Sequence, residues 1–265
     1  MSVADALFEL QRLTEELRRE CPLDRVQTAR TIVPHTVEEA YEVADAALAG
    51  DDEKLLDELG DLLYQTFFLS LILSEHGAGD LEDVARNVHA KLVRRHPHVF
   101  GDAATLDSPG AVKKRWEELK AEQEDRKGTF HEVPETLPAL LYARKVQRRA
   151  AAVGFEFPDL DSRLARLEGE LEELRAELRR VGSPAPETEP DPNVVDELGD
   201  VLFLVVNVAL RMNVDPELAL RATVTKFVQR VEHAGELAAA SGDDWASLDL
   251  AAQLRYYDEA KEALR

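Results

Sequence analysis

A chain of 265 residues, 45% of them hydrophobic, holds material for one large core or two small ones and lacks the composition of a disordered protein. Its 53 acids against 32 bases leave a net charge of −21, which excludes bulk electrostatic binding to a nucleic-acid polymer or an anionic membrane. A free nucleotide is not excluded, because a bound metal can reverse the local field.

The first predicted element is an amphipathic helix from Val3 to Arg19, with Leu7, Leu10, Leu13 and Leu17 on one side. Cys21-Pro22-Leu23-Asp24 breaks it, and Pro34 is expected to mark the start of the next helix, which runs over Val37–Ala49 to a stop at Gly50. Asp51 or Asp52 caps a third helix from Glu53 to His76. Its stretch Leu62–Leu69 is apolar almost all round, as for a helix buried among others or between subunits. Asp80–Arg95 forms a further helix, stopped by His96-Pro97-His98, whose histidines read as part of a structural turn. A charged helix is expected over Ala111–Arg126. After a linker, helices follow over Leu137–Val153, Asp161–Val181, Val194–Met212, Pro216–Ala240 and Leu248–Leu264. A proline-rich loop, 182–192, separates the second and third of these. No alternating strand pattern emerges. The expected architecture is all-α, with helical domains at 1–127 and 136–265 joined by a linker at 128–135.

Cys21 is the only cysteine, so no intrachain disulfide can form and a reducing compartment is the simplest home. The N-terminus shows no secretory pattern, and the longest apolar runs, Leu62–Leu73 and Val201–Leu210, are too short and interrupted to cross a bilayer. The expectation is a cytoplasmic protein with no membrane partner.

One stretch is written twice. Asp57-Glu58-Leu59-Gly60-Asp61-Leu62-Leu63 returns as Asp196-Glu197-Leu198-Gly199-Asp200-Val201-Leu202. Glu58 and Asp61, like Glu197 and Asp200, share one helix face, so each pair repels itself and needs a counter-ion. Upstream of the first copy lie Glu38, Glu39 and Glu42; upstream of the second lie Glu170 and Glu173, with Gly169 in the place of Glu38. Antiparallel packing would gather Glu39, Glu42, Glu58 and Asp61 in one half, and Glu170, Glu173, Glu197 and Asp200 in the other. Carboxylate sets of this kind suit hard cations, above all Mg²⁺ when phosphates complete its shell, with Mn²⁺ as the alternative. Bases follow in matching places. Lys91 and Arg95 correspond to Lys226 and Arg230, and Trp116 with Lys120 to Tyr257 with Lys261. The bases could hold phosphate oxygens, which makes a nucleotide triphosphate the expected ligand. In so acidic a chain single acid motifs arise by chance and solvated helix faces collect glutamate; the ordered repetition raises the functional reading above that background. Gly60 and Gly199 are equally explained by close helix packing.

These residues resemble the MazG-type family of all-α nucleoside triphosphate pyrophosphohydrolases, in its two-copy form. The resemblance rests on Cys21-Pro22-Leu23-Asp24 with Gln27-Thr28, Glu38-Glu39-Ala40-Tyr41-Glu42-Val43, Arg94-Arg95-His96-Pro97-His98-Val99-Phe100-Gly101, Leu137-Pro138-Ala139-Leu140-Leu141 and Val153-Gly154-Phe155-Glu156-Phe157-Pro158-Asp159. It implies Mg²⁺-dependent hydrolysis of nucleoside triphosphates to monophosphate and pyrophosphate by a homodimer of helical bundles. It further implies that the four acids of each half hold the metal and that Glu38 is an outer carboxylate. Lys226, Arg230 and Lys261 would then contact the triphosphate, with Tyr257 where the family often has tryptophan. Glu38, Glu170 and Glu197 are the candidates for acid–base work. Leu23 and Ala29 stand where the family's first copy has tryptophan and histidine, and Gly169 removes an outer carboxylate from the second. The alternatives are an enzyme narrowed to one nucleotide, of dUTP or phosphoribosyl-ATP type, and a non-catalytic acidic helical regulator.

Overall fold

The computed structural model of the chain describes residues 2–101, 128–130, 133–185 and 188–265. Among them are ten α-helices and no strand. The chain divides into two compact units, Met1–Arg126 and Lys127–Arg265.

In the first unit, α1 (Val3–Glu20) opens on a capping box, with Ser2 accepting from the Asp5 amide and the Asp5 carboxylate accepting from the Ser2 amide. Arg18, in its last turn, fixes the next part of the unit. Its guanidinium grips Glu75 through two bonds of 2.7 Å, donates to the carbonyls of Asp24 and Gln27, and sits 5.7 Å from the Phe68 ring centre. One side chain thus ties α1 to the connecting turn and to Glu75, the last residue of the third helix.

The second helix, α2 (Ala29–Ala49), begins eight residues before the predicted Val37 and carries Pro34 inside it. The sequence expectation fails because Thr28 and Thr31 form a capping box upstream of the proline, so the helix has already started. Pro34 then removes only the one donor that would have met the Arg30 carbonyl. Gly50, at φ +68°, takes the left-handed conformation that ends α2. Asp51 immediately caps α3 (Asp52–Glu75) by accepting from the Lys54 amide. A turn this short folds α3 back along α2. Their seam buries Ile32 against Phe68 and Ile72, with Tyr64 and Leu69 packed around them. Next, α4 (Leu81–Arg95) packs on α3, and the single turn α5 (Pro97–Phe100) packs on α4. The helix predicted over Ala111–Arg126 lies outside the described residues.

The second unit repeats the central pair. Here α6 (Ala139–Ala152) and α7 (Leu160–Val181) precede α8 (Pro192–Arg211), and α8 packs against both. Asp159 caps α7 at the place where Thr28 caps α2, and Asp191 caps α8 with Pro192 at its first position. Arg180 bridges the proline-rich loop by reaching Asp191 at 2.8 Å. The remaining helices are α9 (Pro216–Ala240) and α10 (Leu250–Ala263). Ala234, Ala238 and Ala260 are fully buried, so small side chains let these two helices approach closely. Leu248 and Ser247 fall before α10, because Asp244 caps a 3-10 turn at Trp245–Ser247 and Asp249 starts the helix two residues later than predicted.

The two cores differ at one pair of equivalent positions. Aligning the acids of α7 with those of α2 puts Arg163 where Ile32 stands, and aligning the repeated stretch puts Asn207 where Phe68 stands. The apolar contact of the first unit becomes a buried polar network in the second. Arg163, 3% exposed, donates to the Asn207 side chain and to the Phe157 carbonyl. Asn207 donates to Gln147 at 3.1 Å, and Gln147 donates to the Phe203 carbonyl at 2.7 Å. The network joins α6, α7 and α8 one to two turns beyond Asp200.

Candidate functional site

Each unit gathers carboxylates where its central pair of helices meets. In the first, oxygens of Glu39, Glu58 and Asp61 all lie within 4.8 Å of one another; in the second, the same holds for Glu170, Glu197 and Asp200. The fourth acids complete the sets electrostatically. Partial loss of water raises the Glu39 carboxyl above its ordinary range, and Asp61, Glu42 and Glu58 add like charge. Glu58 rises for the same first reason, with Glu42 next. Glu197 rises through desolvation and then through Glu173, Glu170 and Asp200. Crowded acids therefore share each site, as the spacing of the sequence predicts.

Within each trio one acid is buried, one half-buried and one exposed, but the roles are exchanged between the units. In the first the buried acid is Glu58, on α3; in the second it is Glu170, on α7. Each buried acid has a cation one turn before it on its own helix. Lys54 stands 3.8 Å from Glu58, and Arg166 stands 2.5 Å from Glu170. Both cations are half exposed. At the positions they leave, Asn193 stands for Lys54 and turns to Glu177 at 3.4 Å, while His35 stands for Arg166 and lies 3.8 Å from Glu38. Lys54 and Arg166 were not among the residues singled out from sequence. Their four-residue spacing before an acid was the available signal, but in an acidic helix that spacing is common.

The donor set fits a hard divalent cation. Three carboxylate oxygens converge, like charge remains uncompensated around Glu197, and Glu197 Oε2 is buried with no hydrogen-bond partner. Among the described residues Gly60 and Gly199 do not serve close helix packing, since a Cβ built on either meets no described atom within 4 Å. Each leaves a bare strip of helix between the two acids, and in the first unit Gly60 lines a groove together with Lys54, Asp57, Glu58 and Asp61.

Glu38 is placed differently from the grouped acids. It is two-thirds exposed and faces His35. The bases lie on other helices. Lys91 and Arg95 occupy the last two turns of α4, which packs on α3. Lys226 and Arg230 lie one turn apart on α9, which packs on α8, and Tyr257 and Lys261 lie one turn apart on α10. The Tyr257 and Phe227 rings are 6.0 Å apart, so α10 sets its aromatic residue beside Lys226's neighbour. Trp116 and Lys120 lie outside the described residues.

The family model described as the MazG nucleotide pyrophosphohydrolase domain matches the chain twice, at residues 27–100 and 159–235. The first match contains the Glu39–Glu58–Asp61 cluster and the second contains Glu170–Glu197–Asp200. The nucleoside triphosphate pyrophosphohydrolase/pyrophosphatase MazG of Thermotoga maritima is 38% identical over 98% of both chains. The nucleoside triphosphate pyrophosphohydrolase of Escherichia coli K12 is 34% identical over 98% of both. One of the same printed name from Mycobacterium tuberculosis is 33% identical, covering 57% of this chain and 46% of its own.

Proposed function

The chain belongs to the MazG nucleotide pyrophosphohydrolase family, and from that premise we propose that it hydrolyses nucleoside triphosphates to monophosphate and pyrophosphate with Mg²⁺, the second unit carrying the reaction. The observation that carries this reading is the recurrence, at matching places of two repeats, of a three-carboxylate cluster on paired helices. Glu170, Glu173, Glu197 and Asp200 would hold the metal in the second unit, and Glu39, Glu42, Glu58 and Asp61 in the first. Bound there, Mg²⁺ would neutralise triphosphate charge and polarise the α-phosphoryl group.

The chain's own residues supply the rest. Lys226 and Arg230 on α9, with Lys261 on α10, are cations held by helices packed in series on α8, suited to bind the phosphates and to stabilise the leaving pyrophosphate. Tyr257, fixed against Phe227, offers an aromatic face beside them. Glu197 is also the proposed acceptor of the attacking water's proton, through the carboxylate oxygen that a bound metal would leave free. Glu38, two-thirds exposed beside His35, is the outer carboxylate of the first unit. With a panel of nucleoside triphosphates and Mg²⁺, the expected product is pyrophosphate. Orthophosphate as the first product would remove the reading, and turnover of a single nucleotide would narrow it.

We propose that the protein is a homodimer. Among the described residues no helix is long and apolar enough to cross a membrane, yet α8 carries an exposed apolar stripe. Val195, Leu198, Leu202 and Val205 are 55%, 47%, 50% and 45% exposed at the spacing of a helix–helix seam. Light scattering of the full chain should give twice the monomer mass; a monomer at micromolar concentration contradicts the dimer.

A further inference from the structure

We propose that Gln65 is a sugar-binding residue of the first unit, whose free carbonyl oxygen accepts a hydrogen bond from a sugar hydroxyl of a nucleotide held at Glu39, Glu58 and Asp61. The proposal rests on the pyrophosphohydrolase reading and deepens it, because it gives the first unit a nucleotide of its own and a means of reading the sugar.

The starting point is an acceptor with nothing to accept. Gln65 is 8% exposed, and its Oε1 is enclosed without a hydrogen-bond partner among the described residues. A carbonyl kept in that state gives up its water and gains no bond in return, which costs the fold stability. The second unit shows that the position does not demand an amide. Aligning the repeated stretch puts Leu204 there, and Leu204 is buried to the same degree at 7% exposed. An apolar side chain therefore suits this place on the repeated helix, and the first unit keeps the costlier residue.

The position of Gln65 on α3 selects the ligand. Glu58, Asp61, Gln65, Phe68 and Ile72 fall on one helix face. Asp61 is exposed, Gln65 is nearly enclosed and Phe68 is sealed at 1%. On this face Gln65 is thus the last polar residue before the core, about 6 Å along the helix axis from Asp61. The phosphate-binding candidates lead the other way. After the short turn 76–80, α4 returns along α3, so Arg95 stands nearer the start of α3 than Lys91 does. A triphosphate laid from the acids along Lys91 and Arg95 runs away from Gln65, and its nucleoside end points toward it. Only an ester oxygen and a methylene join the sugar to the α-phosphate. The sugar hydroxyls are therefore the first hydrogen donors beyond a metal-bound phosphate, at the reach of one helical turn. A hydroxyl supplies the hydrogen that Oε1 lacks, and the flexible amide chain can turn to meet it.

The test uses the full chain with Glu197→Ala and Asp200→Ala throughout, so that only the first cluster is read. Calorimetry with Mg²⁺ compares α,β-methylene-ATP with its 2′-deoxy and 3′-deoxy counterparts, and electron paramagnetic resonance follows the binding of Mn²⁺ alone. With Gln65 in place, one of the deoxy compounds should bind at least about tenfold more weakly, the scale of leaving a buried acceptor unpaired. Which compound it is identifies the hydroxyl. Gln65→Leu should bind all three alike, at the weaker affinity, with Mn²⁺ bound as in the parent. Equal affinity for the three compounds with Gln65 in place overturns the proposal, whether or not Gln65→Leu folds, and makes Oε1 the partner of an internal water. So does a Gln65→Leu chain that still discriminates, or one that loses Mn²⁺ in parallel, since the residue would then act through the packing of α2 on α3. No analogue binding beside intact pyrophosphate release by the wild type sinks only the first unit's nucleotide. A wild type that releases no pyrophosphate from any nucleoside triphosphate sinks the pyrophosphohydrolase reading itself.

Discussion

Glu197→Gln is expected to lower kcat/KM for pyrophosphate release by about 10²–10³-fold, the scale of losing one preorganised charge partner in an active site, and at the same time to raise the melting temperature of the metal-free protein at neutral pH. The two effects have one origin. Glu197 loses hydration in the fold and faces Glu173, Glu170 and Asp200, so its charged form is less favourable in the folded chain than in the unfolded one. Its folded pKa is therefore raised. Below the ordinary carboxylate range the group is protonated in both states and costs nothing. As pH rises through that range and past the raised folded value, the unfolded chain gives up its proton first and stability falls. The stabilisation by Glu197→Gln should accordingly grow with pH across this window and vanish below it. Free Mg²⁺ should reverse the order: at about 100 times its dissociation constant, binding to the native state adds about 2.7 kcal/mol to the wild type and much less to the variant. Melting curves at several pH values, with and without Mg²⁺, read both predictions. A variant no more stable than the wild type at neutral pH would show that the crowded acids are already compensated. A fully active variant, beside an inactive Glu58→Gln, would move the reaction to the first unit.

Much of this site is legible in the linear sequence, for identifiable reasons. Acids three apart on a helix must share a face, so the pairing of Glu58 with Asp61 and of Glu197 with Asp200 follows from helical periodicity alone. The Gly50-Asp51 turn is equally local and dictates that α2 and α3 meet. Which acid of each trio is buried is another matter, because burial depends on the helices that close over the pair, and those contacts are remote in sequence. Hence the exchange of Glu58 for Glu170 was hidden, and with it the meaning of Lys54 and Arg166. Pro34 misled for a simpler reason. Proline reads as a boundary, but the capping box of Thr28 and Thr31 begins the helix a turn and a half before it. Glu38, expected as an outer carboxylate beside the four acids, is two-thirds exposed and lies 3.8 Å from His35. Arg163 carries a readable signal of its own. It falls on the stripe of Leu167, Glu170 and Leu174, which faces inward along α7, and a base in such a stripe demands partners.

That demand sets the largest expected effect on folding. Arg163→Ala should destabilise the second unit by about 3–5 kcal/mol, as for removal of one member of a buried charged network. The loss is more than the missing bonds. Asn207 and the Phe157 carbonyl would be left inside the fold without their donor, and the contact of the guanidinium with the Phe157 ring, 5.7 Å away, would go too. The first unit shows what an apolar solution looks like at the same place, with Ile32 packed on Phe68. Arg163→Ile alone orphans Asn207, and Asn207→Phe alone both crowds Arg163 and strands its charge. The double replacement removes both partners together, so its cost should fall well below the sum of the single costs, with a coupling of about 1–3 kcal/mol. Gln147 limits the recovery, because it loses the Asn207 amide and keeps only its bond to the Phe203 carbonyl. Urea unfolding of the four chains of this cycle measures the coupling. Additive costs would mean that Arg163 and Asn207 act independently, and that the polar core of the second unit is a set of separate contacts. A coupled result makes the network a single element, and it lies directly behind α8. Phe203 and Asn207 continue the helix that presents Glu197 and Asp200, and Arg163 lies one turn before Arg166 and two before Glu170. The same bonds that hold α7 to α8 then fix the separation of Glu170 from Glu197 and Asp200, the acids that would hold a metal.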